Sequence, residues 1–186
     1  MPEKVSYQVR DLEAMAFAER YHRWILREFR PHLGTRVVEV GAGAGSFSEL
    51  LFETRPESLT LVEPSAEMFP LLESRADAAR RAGARVATYN AIFRRVAAEI
   101  AARARPDSIL YINVLEHVED DEAELAAVRD ALAPEGRALL FVPAFGWLYG
   151  GLRRRGDDHV GRSGAQVRAR LRGDPLVVLR RRALRG

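Results

Sequence analysis

The segment VVEVGAGAGSFSEL, residues 37–50, decides the fold class. It opens with a β-branched run typical of a buried strand and continues into a helical pattern over residues 44–54. Three glycines, Gly41, Gly43 and Gly45, occupy the connection between them. Glycine tolerates positive φ and lets a ligand touch the backbone, and the N-terminus of the next helix presents free N–H groups. The segment therefore predicts a strand, a tight ligand-binding turn and a helix.

The same alternation of strand and helix continues on both sides of this segment. We predict strands at residues 37–40, 59–62, 85–89, 108–112 and 138–142, and helices at 11–30, 44–54, 66–82, 91–104 and 120–132. Ser65 is the expected N-cap of the helix over 66–82, and Pro70 lies deep enough in it to predict a kink or a restart. Continuous apolar strands alternating with helices indicate an α/β fold: a doubly wound, mostly parallel sheet with helices on both faces.

The composition excludes several chemistries. The chain has 186 residues, which predicts one domain, and no cysteine, which excludes disulfides, thiolate metal sites and a cysteine nucleophile. Lys4 is the single lysine among 29 basic residues, so a catalytic lysine elsewhere is excluded. The first twenty residues contain four acids and no long apolar run, and no stretch is apolar enough for a membrane span. We therefore expect a cytoplasmic protein.

Two acids, one just before the glycine turn and one at the end of the second strand, indicate the ligand of the turn. Glu39 precedes Gly41 by two residues, and Glu63 ends the second strand, 22 residues after Gly41. A carboxylate beneath the turn disfavours a pyrophosphate and suits a cation, whereas the second acid is placed to accept two ribose hydroxyls. Ser46 also fits the dinucleotide fingerprint poorly. A ribose with a cationic group and no phosphate describes S-adenosylmethionine; the alternative is a tight turn without a ligand.

On these motifs, residues 8–150 resemble the class I S-adenosylmethionine-dependent methyltransferases. The resemblance implies a Rossmann-like sheet with S-adenosylmethionine as the cofactor. It implies that the first motif wraps the methionine end, that Glu63 clamps the ribose beside Pro64, and that Asn90, followed by Ala91, reads the adenine amino group. The stretch YINVLEHVEDD, residues 111–121, resembles the fourth motif of the family, which implies that Asn113 lies near the sulfonium. The first-motif residues are Glu39, Gly41, Ala42, Gly43 and Gly45.

The candidate for acid–base chemistry is His117, which follows the fourth strand. The alternative is a histidine that caps or packs the start of the next helix. Tyr21 and Trp24 lie on the leading helix, at about residues 9–30, which in the family covers the cofactor as a lid; the alternative is an aromatic core stripe. Acids near His117 also suit a helix N-terminus, so we assign no metal site.

Missing motifs narrow the methyl acceptor. The sequence NVLE replaces the N/D-P-P-Y/F motif of enzymes that methylate amino groups of DNA, and the absence of cysteine excludes the covalent cytosine route. The scarcity of lysine excludes the Lys/Asp/Lys/Glu set that methylates ribose. We therefore predict in-line methyl transfer to a small-molecule acceptor, with no nucleic acid partner. The alternatives are a non-catalytic or decayed S-adenosylmethionine-binding protein and an NAD-dependent oxidoreductase.

The end of the chain differs in charge from the rest. Residues 1–150 have 18 basic and 23 acidic side chains, whereas residues 151–186 have 11 and 3. We predict a cofactor-binding domain over 1–150 and an atypical basic segment over 151–186, in which only Leu176–Leu179 has the pattern of a strand. Three hypotheses stay open for this segment: a divergent sheet edge, a basic tail that binds an anionic partner, and a truncated or out-of-frame end that leaves the sheet incomplete.

Overall fold

The computed structural model describes residues 17–142 and 176–184, and these form a sheet with helices against it. Helix α1 covers residues 17–29 of the described part. The strands are β1 Arg36–Val40, β2 Ser58–Val62, β3 Val86–Tyr89, β4 Ser108–Ile112, β5 Arg137–Phe141 and β6 Leu176–Arg180. The other helices are α2 Ser46–Glu53, α3 Phe69–Arg81, α4 Phe93–Ala104 and α5 Asp121–Ala131. None of the helices in these two ranges has the length and apolar character that a bilayer span needs.

The strand order in the sheet is β3-β2-β1-β4-β5-β6. The first five of these strands pair in parallel, and β6 pairs antiparallel with β5. This order confirms the predicted doubly wound, mostly parallel sheet. The chain order reverses between β1 and β4, and ligands of open α/β sheets bind in the crevice at the carboxyl ends of such a pair. The topology therefore places the glycine turn, which follows β1, at this crevice.

The four central strands, β1, β2, β4 and β5, are buried on both faces, so their side chains alternate between two hydrophobic clusters. Val38 and Ile109 pack in one cluster with residues of α4 and α5. Val37 and Leu110 pack in the other with residues of α1, α2 and α3. This arrangement explains the continuous apolar strands and confirms helices on both faces.

The structure corrects the predicted position of Pro70 deep within its helix. Helix α3 begins at Phe69, so Pro70 occupies the first turn, where its missing N–H needs no partner. The preceding residues form a separate turn in which Ser65 Oγ accepts a hydrogen bond from Met68 N at 3.2 Å. Ser65 therefore caps this turn, and the helix predicted over 66–82 starts three residues later than its apolar pattern suggested.

Strand β6 confirms the strand predicted at Leu176–Leu179. Its Leu179 pairs with Ala138 of β5, and Val177 and Leu184 are buried in the cluster that contains α5. A sheet edge is one of the three hypotheses for the basic segment, and these residues form one. Residues 143–175 lie outside the described residues, so the division of the chain at residue 150 and the other two hypotheses stay predictions.

Candidate active site

The glycine turn between β1 and α2, residues 41–45 (the glycine loop), has one open face. Gly41, Gly43 and Gly45 have φ values of +72°, +57° and +89°. A Cβ at Gly41 would lie 2.4 Å from Val114 Cγ2, and one at Gly45 would lie 3.0 Å from Leu72 Cδ1. A Cβ at Gly43 would meet no atom within 4 Å. The loop is therefore packed at both ends and leaves space for a ligand at its centre.

Glu63 fixes this centre from the end of β2. Its Oε2 accepts a hydrogen bond from Gly43 N at 2.7 Å, and its Oε1 accepts one from Ser65 N at 2.7 Å. The residue is 6% exposed. Asn90 Nδ2 donates to the Glu63 carbonyl oxygen at 2.8 Å, which ties the end of β3 to the same point. Each carboxylate oxygen keeps a further lone pair, so Glu63 remains able to accept ligand hydroxyls.

Glu39 lies beneath the loop in β1 and is 3% exposed. Burial raises its pKa to about 8, the hydrogen bond from Ser48 partly opposes this rise, and the negative charge of Glu63 adds to it. Ser48 Oγ donates to Glu39 Oε2 at 2.5 Å. The side chain is therefore mostly protonated at neutral pH in the free protein, and a cation beside it would favour the ionised form.

A cavity of about 410 Å³ opens at the carboxyl ends of β1, β2 and β4. Predicted site residues that line it are Gly41, Glu63, Pro64, Ala91, Asn113 and His117. The rest of the glycine loop, Glu39 and Asn90 lie beside it rather than in its wall. The cavity also has walls that the sequence analysis did not identify: Ile92, Phe93, Arg94, Val114, Val118, Glu119 and Glu124. Most of these residues follow β3 or β4 by only a few positions. Their place just after a parallel strand could have identified them from the sequence as part of the ligand site.

Asn113 links this cavity to the aromatic side chains of α1. Its backbone is left-handed, with φ +56°, its N–H donates to Phe141 O at 2.9 Å, and its Oδ1 is buried with no hydrogen-bond partner in the described part of the chain. The rings of Tyr21 and Trp24 each pack edge-on against Phe141, with centroids 5.7 Å apart. Burial raises the pKa of the Tyr21 hydroxyl, and its interaction with Asn113 opposes the rise. Both lid candidates therefore lie over the ends of β4 and β5.

His117 and Glu116 belong to one 3-10 turn, Leu115–His117, yet they face different surroundings. His117 lines the cavity. Glu116 does not line the cavity, and its negative charge further raises the pKa of Tyr21 in α1. Burial raises the pKa of Glu116 itself, and the charge of His117 partly lowers it.

The cap of the following helix is Asp120. Its side chain accepts a hydrogen bond from Ala123 N at 3.0 Å at the start of α5, so His117 does not serve as the cap. Acids also occupy the first turn of α5, as the helix dipole favours. Among the described residues, no three histidine or acidic side chains are grouped closely enough to hold a metal ion.

A comparison with protein families identifies the family of this chain. Residues 12–184 match the sequence model of the family described as Methyltransferase domain, which is most of the chain. The chain belongs to the class I S-adenosylmethionine-dependent methyltransferases. The matched range includes the glycine loop, the cavity and β6 of this methyltransferase domain.

Solved structures show the same fold at low sequence identity. The O-MT segment of StiE has a TM-score of 0.55 and 19% identity, over 74% of this chain and 47% of that one. CrArsM, an arsenic (III) S-adenosylmethionine methyltransferase from Chlamydomonas reinhardtii, has a TM-score of 0.51 and 20% identity. The match covers 64% of this chain and 44% of CrArsM. The N-methyltransferase NodS from Bradyrhizobium japonicum WM9, in complex with S-adenosyl-L-homocysteine, has a TM-score of 0.50 and 20% identity. The match covers 65% of this chain and 59% of NodS.

The methyltransferase domain spans less than two thirds of the length of each of these proteins. No curated protein sequence matches it significantly. The structural likeness therefore establishes the fold, and the chemistry of this chain has to be argued from its own residues.

Proposed function

We propose that this methyltransferase domain binds S-adenosylmethionine at the glycine loop and transfers the methyl group to a small-molecule acceptor by in-line displacement. One observation carries the proposal: the space above Gly43 is open, and its amide is held by a buried carboxylate at the edge of a cavity. Glycines with positive φ and a free face are needed where a ligand approaches the backbone closely. The cavity lies where open α/β sheets bind their ligands.

The residues around the cavity fit the nucleoside half of this cofactor. Pro64 and Ala91 line the cavity and would contact the adenine. Glu63 has lone pairs left for the two ribose hydroxyls. Asn90 uses its Nδ2 in the hydrogen bond to Glu63, so its Oδ1 is the atom that remains to accept from the adenine amino group.

The loop itself fits the methionine half. The backbone of Gly41, Ala42, Gly43 and Gly45 would surround it, with the Glu39 carboxyl group beneath. The buried Asn113 Oδ1 needs a hydrogen-bond donor, and an ammonium group would supply one. A cationic ligand would also stabilise the ionised form of Glu39. These groups together favour a cation over a pyrophosphate.

When bound, S-adenosylmethionine supplies a methyl group that is already activated by its positively charged sulfur. The protein then has to align the acceptor and exclude water, and alignment supplies most of the rate enhancement in such reactions. Tyr21 and Trp24 would cover the acceptor at the ends of β4 and β5, next to Asn113. This role would extend to the acceptor the lid that the sequence predicts over the cofactor.

We propose His117 as the group that accepts a proton when the acceptor nucleophile is protonated. Its place in the cavity wall supports this role, because a base has to lie within reach of the reacting atoms. A His117→Asn variant is then expected to slow transfer to a protonated acceptor and to lose the acid limb of the pH–rate profile. A variant with the same pH–rate profile as the wild type would remove His117 from the chemistry.

The activity is tested by incubating the protein with methyl-labelled S-adenosylmethionine and a mixture of small metabolites. Label in an acceptor is expected, and the product then identifies whether oxygen, nitrogen or carbon is methylated. Binding of the cofactor without transfer to any acceptor would support the non-catalytic alternative. Binding of NAD alone would support the oxidoreductase alternative and overturn the proposal.

A further inference from the structure

Among the residues that the structure describes, two side chains hydrogen-bond to the backbone of the glycine loop, and the sequence analysis identified one of them. Glu63, at the end of β2, accepts from Gly43 N. The second is Arg75, in the middle of α3, whose Nη1 donates to the carbonyl oxygen of Ala44. Both residues belong to the β2–α3 unit, and they hydrogen-bond to adjacent residues of the loop, Gly43 and Ala44. Nothing in the cofactor motifs of the sequence points to Arg75.

Arg75 is well anchored for this contact. Its Nε lies 2.9 Å from Glu49 Oε1, in α2, and its side chain is 38% exposed. A Cβ on Gly45 would lie 3.2 Å from Arg75 Cδ and 3.0 Å from Leu72 Cδ1, so the arginine stem packs directly on the end of the loop. The guanidinium group therefore joins three elements: α3, α2 and the loop between β1 and α2.

The contact fixes the part of the loop that faces the open space. The Ala44–Gly45 peptide is held at both ends, because Gly45 N also donates to Ala42 O at 2.8 Å. On its other side, Gly43 N is held by Glu63 at 2.7 Å. The Gly43–Ala44 peptide lies between these fixed points, and Gly43 is where a Cβ would meet nothing within 4 Å. Glycine backbone has high conformational freedom. Without these two contacts the free loop would sample more conformations, and it would therefore lose more entropy when a ligand binds.

We propose that Arg75 is a positioning residue for the cofactor: it holds the Ala44 carbonyl so that the open face of the glycine loop is already formed before the ligand binds. The proposal rests on the proposed function in one respect, because it takes S-adenosylmethionine as the ligand of the loop. It concerns affinity rather than the chemical step, since Arg75 lies behind the loop on α3.

The test uses Arg75→Met, which keeps an unbranched stem against Gly45 and removes the guanidinium group. S-adenosylhomocysteine is the probe, and its Kd is measured by calorimetry at a temperature where circular dichroism shows each variant fully folded. Loss of a charge-assisted hydrogen bond predicts a Kd about tenfold higher. Arg75→Lys keeps the charge but not the planar fork, so an intermediate Kd is expected.

Two matched variants separate the carbonyl contact from other effects. Glu49→Gln removes the charge of the ion-pair partner and leaves the Ala44 contact, so its Kd is expected within about twofold of the wild type. Arg81→Met removes an exposed arginine from the last turn of the same helix and is expected to have no effect. A Glu49→Gln effect as large as that of Arg75→Met would assign the role to the ion pair and overturn the proposal.

Hydrogen exchange of the unliganded protein provides a readout that does not depend on the ligand. Arg75→Met is expected to accelerate exchange at the amides of Gly43 and Gly45, while amides in β1 keep their protection. Unchanged exchange in the loop, or a Kd for Arg75→Met within about twofold of the wild type, would overturn the positioning role. If the wild-type protein does not bind S-adenosylhomocysteine, the proposed function fails, and exchange still decides whether Arg75 holds the loop. Arg75→Lys provides the same comparison if Arg75→Met does not fold.

Discussion

The two sides of the candidate active site are built from different contacts. On the cofactor side, backbone hydrogen bonds, Glu63 and Arg75 hold the glycine loop, and positive-φ glycines pack against neighbouring side chains. On the acceptor side, the rings of Tyr21 and Trp24 in α1 pack edge-on against Phe141. The cofactor side is held by hydrogen bonds to the loop backbone, whereas the acceptor side is formed by packing between aromatic rings. Cofactor affinity and acceptor affinity should therefore respond to different substitutions.

The largest expected effect is at the centre of the glycine loop. Gly43 and Gly83 have φ values of +57° and +93°, and a Cβ added at either would meet no atom within 4 Å. Because a side chain is strained at positive φ, Gly43→Ala and Gly83→Ala should each lower the free energy of unfolding by about 1–2 kcal/mol. Gly43 faces the proposed ligand and Gly83 follows α3, so only Gly43→Ala should lose measurable binding of S-adenosylhomocysteine. Urea unfolding and calorimetry measure the two effects. Equal affinities for the two variants would contradict the placement of the ligand over Gly43.

Glu63 should have the next largest effect. Glu63→Ala removes the acceptor for Gly43 N and the proposed ribose contact, so cofactor binding should weaken by about 1–3 kcal/mol. Glu67→Ala, on an exposed residue four positions later, is the control and should bind as the wild type does. Calorimetric titration of both with S-adenosylhomocysteine measures the difference. An unchanged affinity for Glu63→Ala would remove Glu63 from the cofactor side.

The buried Glu39 predicts a pH dependence of stability on the cofactor side of the site. Its pKa rises from 4.5 to about 8 on folding, so the folded state binds more protons than the unfolded state between these values. The free energy of unfolding attributable to Glu39 should therefore fall as the pH rises through this window. Urea unfolding of the wild type and of Glu39→Gln at several pH values measures this contribution. A fall with the same slope in Glu39→Gln would assign it to other groups.

The smallest expected effect is on the acceptor side. Tyr21→Phe removes the hydroxyl beside Asn113, and we expect acceptor affinity to weaken by about 0.5–1.5 kcal/mol while the Kd for S-adenosylhomocysteine stays unchanged. Tyr89→Phe is the control, because the Tyr89 hydroxyl contacts Glu99 at 3.2 Å on the surface of β3 and α4. Initial rates of labelled transfer at low acceptor concentration provide the measurement. A higher Kd for S-adenosylhomocysteine in Tyr21→Phe would mean that the cofactor side and the acceptor side do not respond independently to substitution.

The sequence predicts the parts of the fold that are encoded locally. The apolar pattern of each strand and the glycines between β1 and α2 depend on residues close in the chain, and the five predicted parallel strands are all present. Pro70 shows the limit, because helical periodicity continues through the separate turn at Ser65–Met68 and conceals the true start of α3. Strand β6 was predicted as a strand, but its antiparallel pairing with β5 depends on the tertiary structure.

Long-range contacts account for what the sequence did not predict in the site. Arg75 contacts Ala44 from 31 residues away, and this reach depends on how α3 packs against the loop. Likewise, Val118 and Phe93 share the cavity wall only because the parallel strands end at the same edge of the sheet. The roles of individual residues, including His117, stay predictions for the experiments above.

Calorimetric titration of the wild-type protein and Gly43→Ala with S-adenosylhomocysteine and with NAD tests the central claim most directly. We predict micromolar binding of S-adenosylhomocysteine to the wild type, on the order of −8 kcal/mol, no binding of NAD, and loss of S-adenosylhomocysteine binding in Gly43→Ala. Binding of NAD alone, or equal binding of S-adenosylhomocysteine to both proteins, would contradict a cofactor site at the glycine loop.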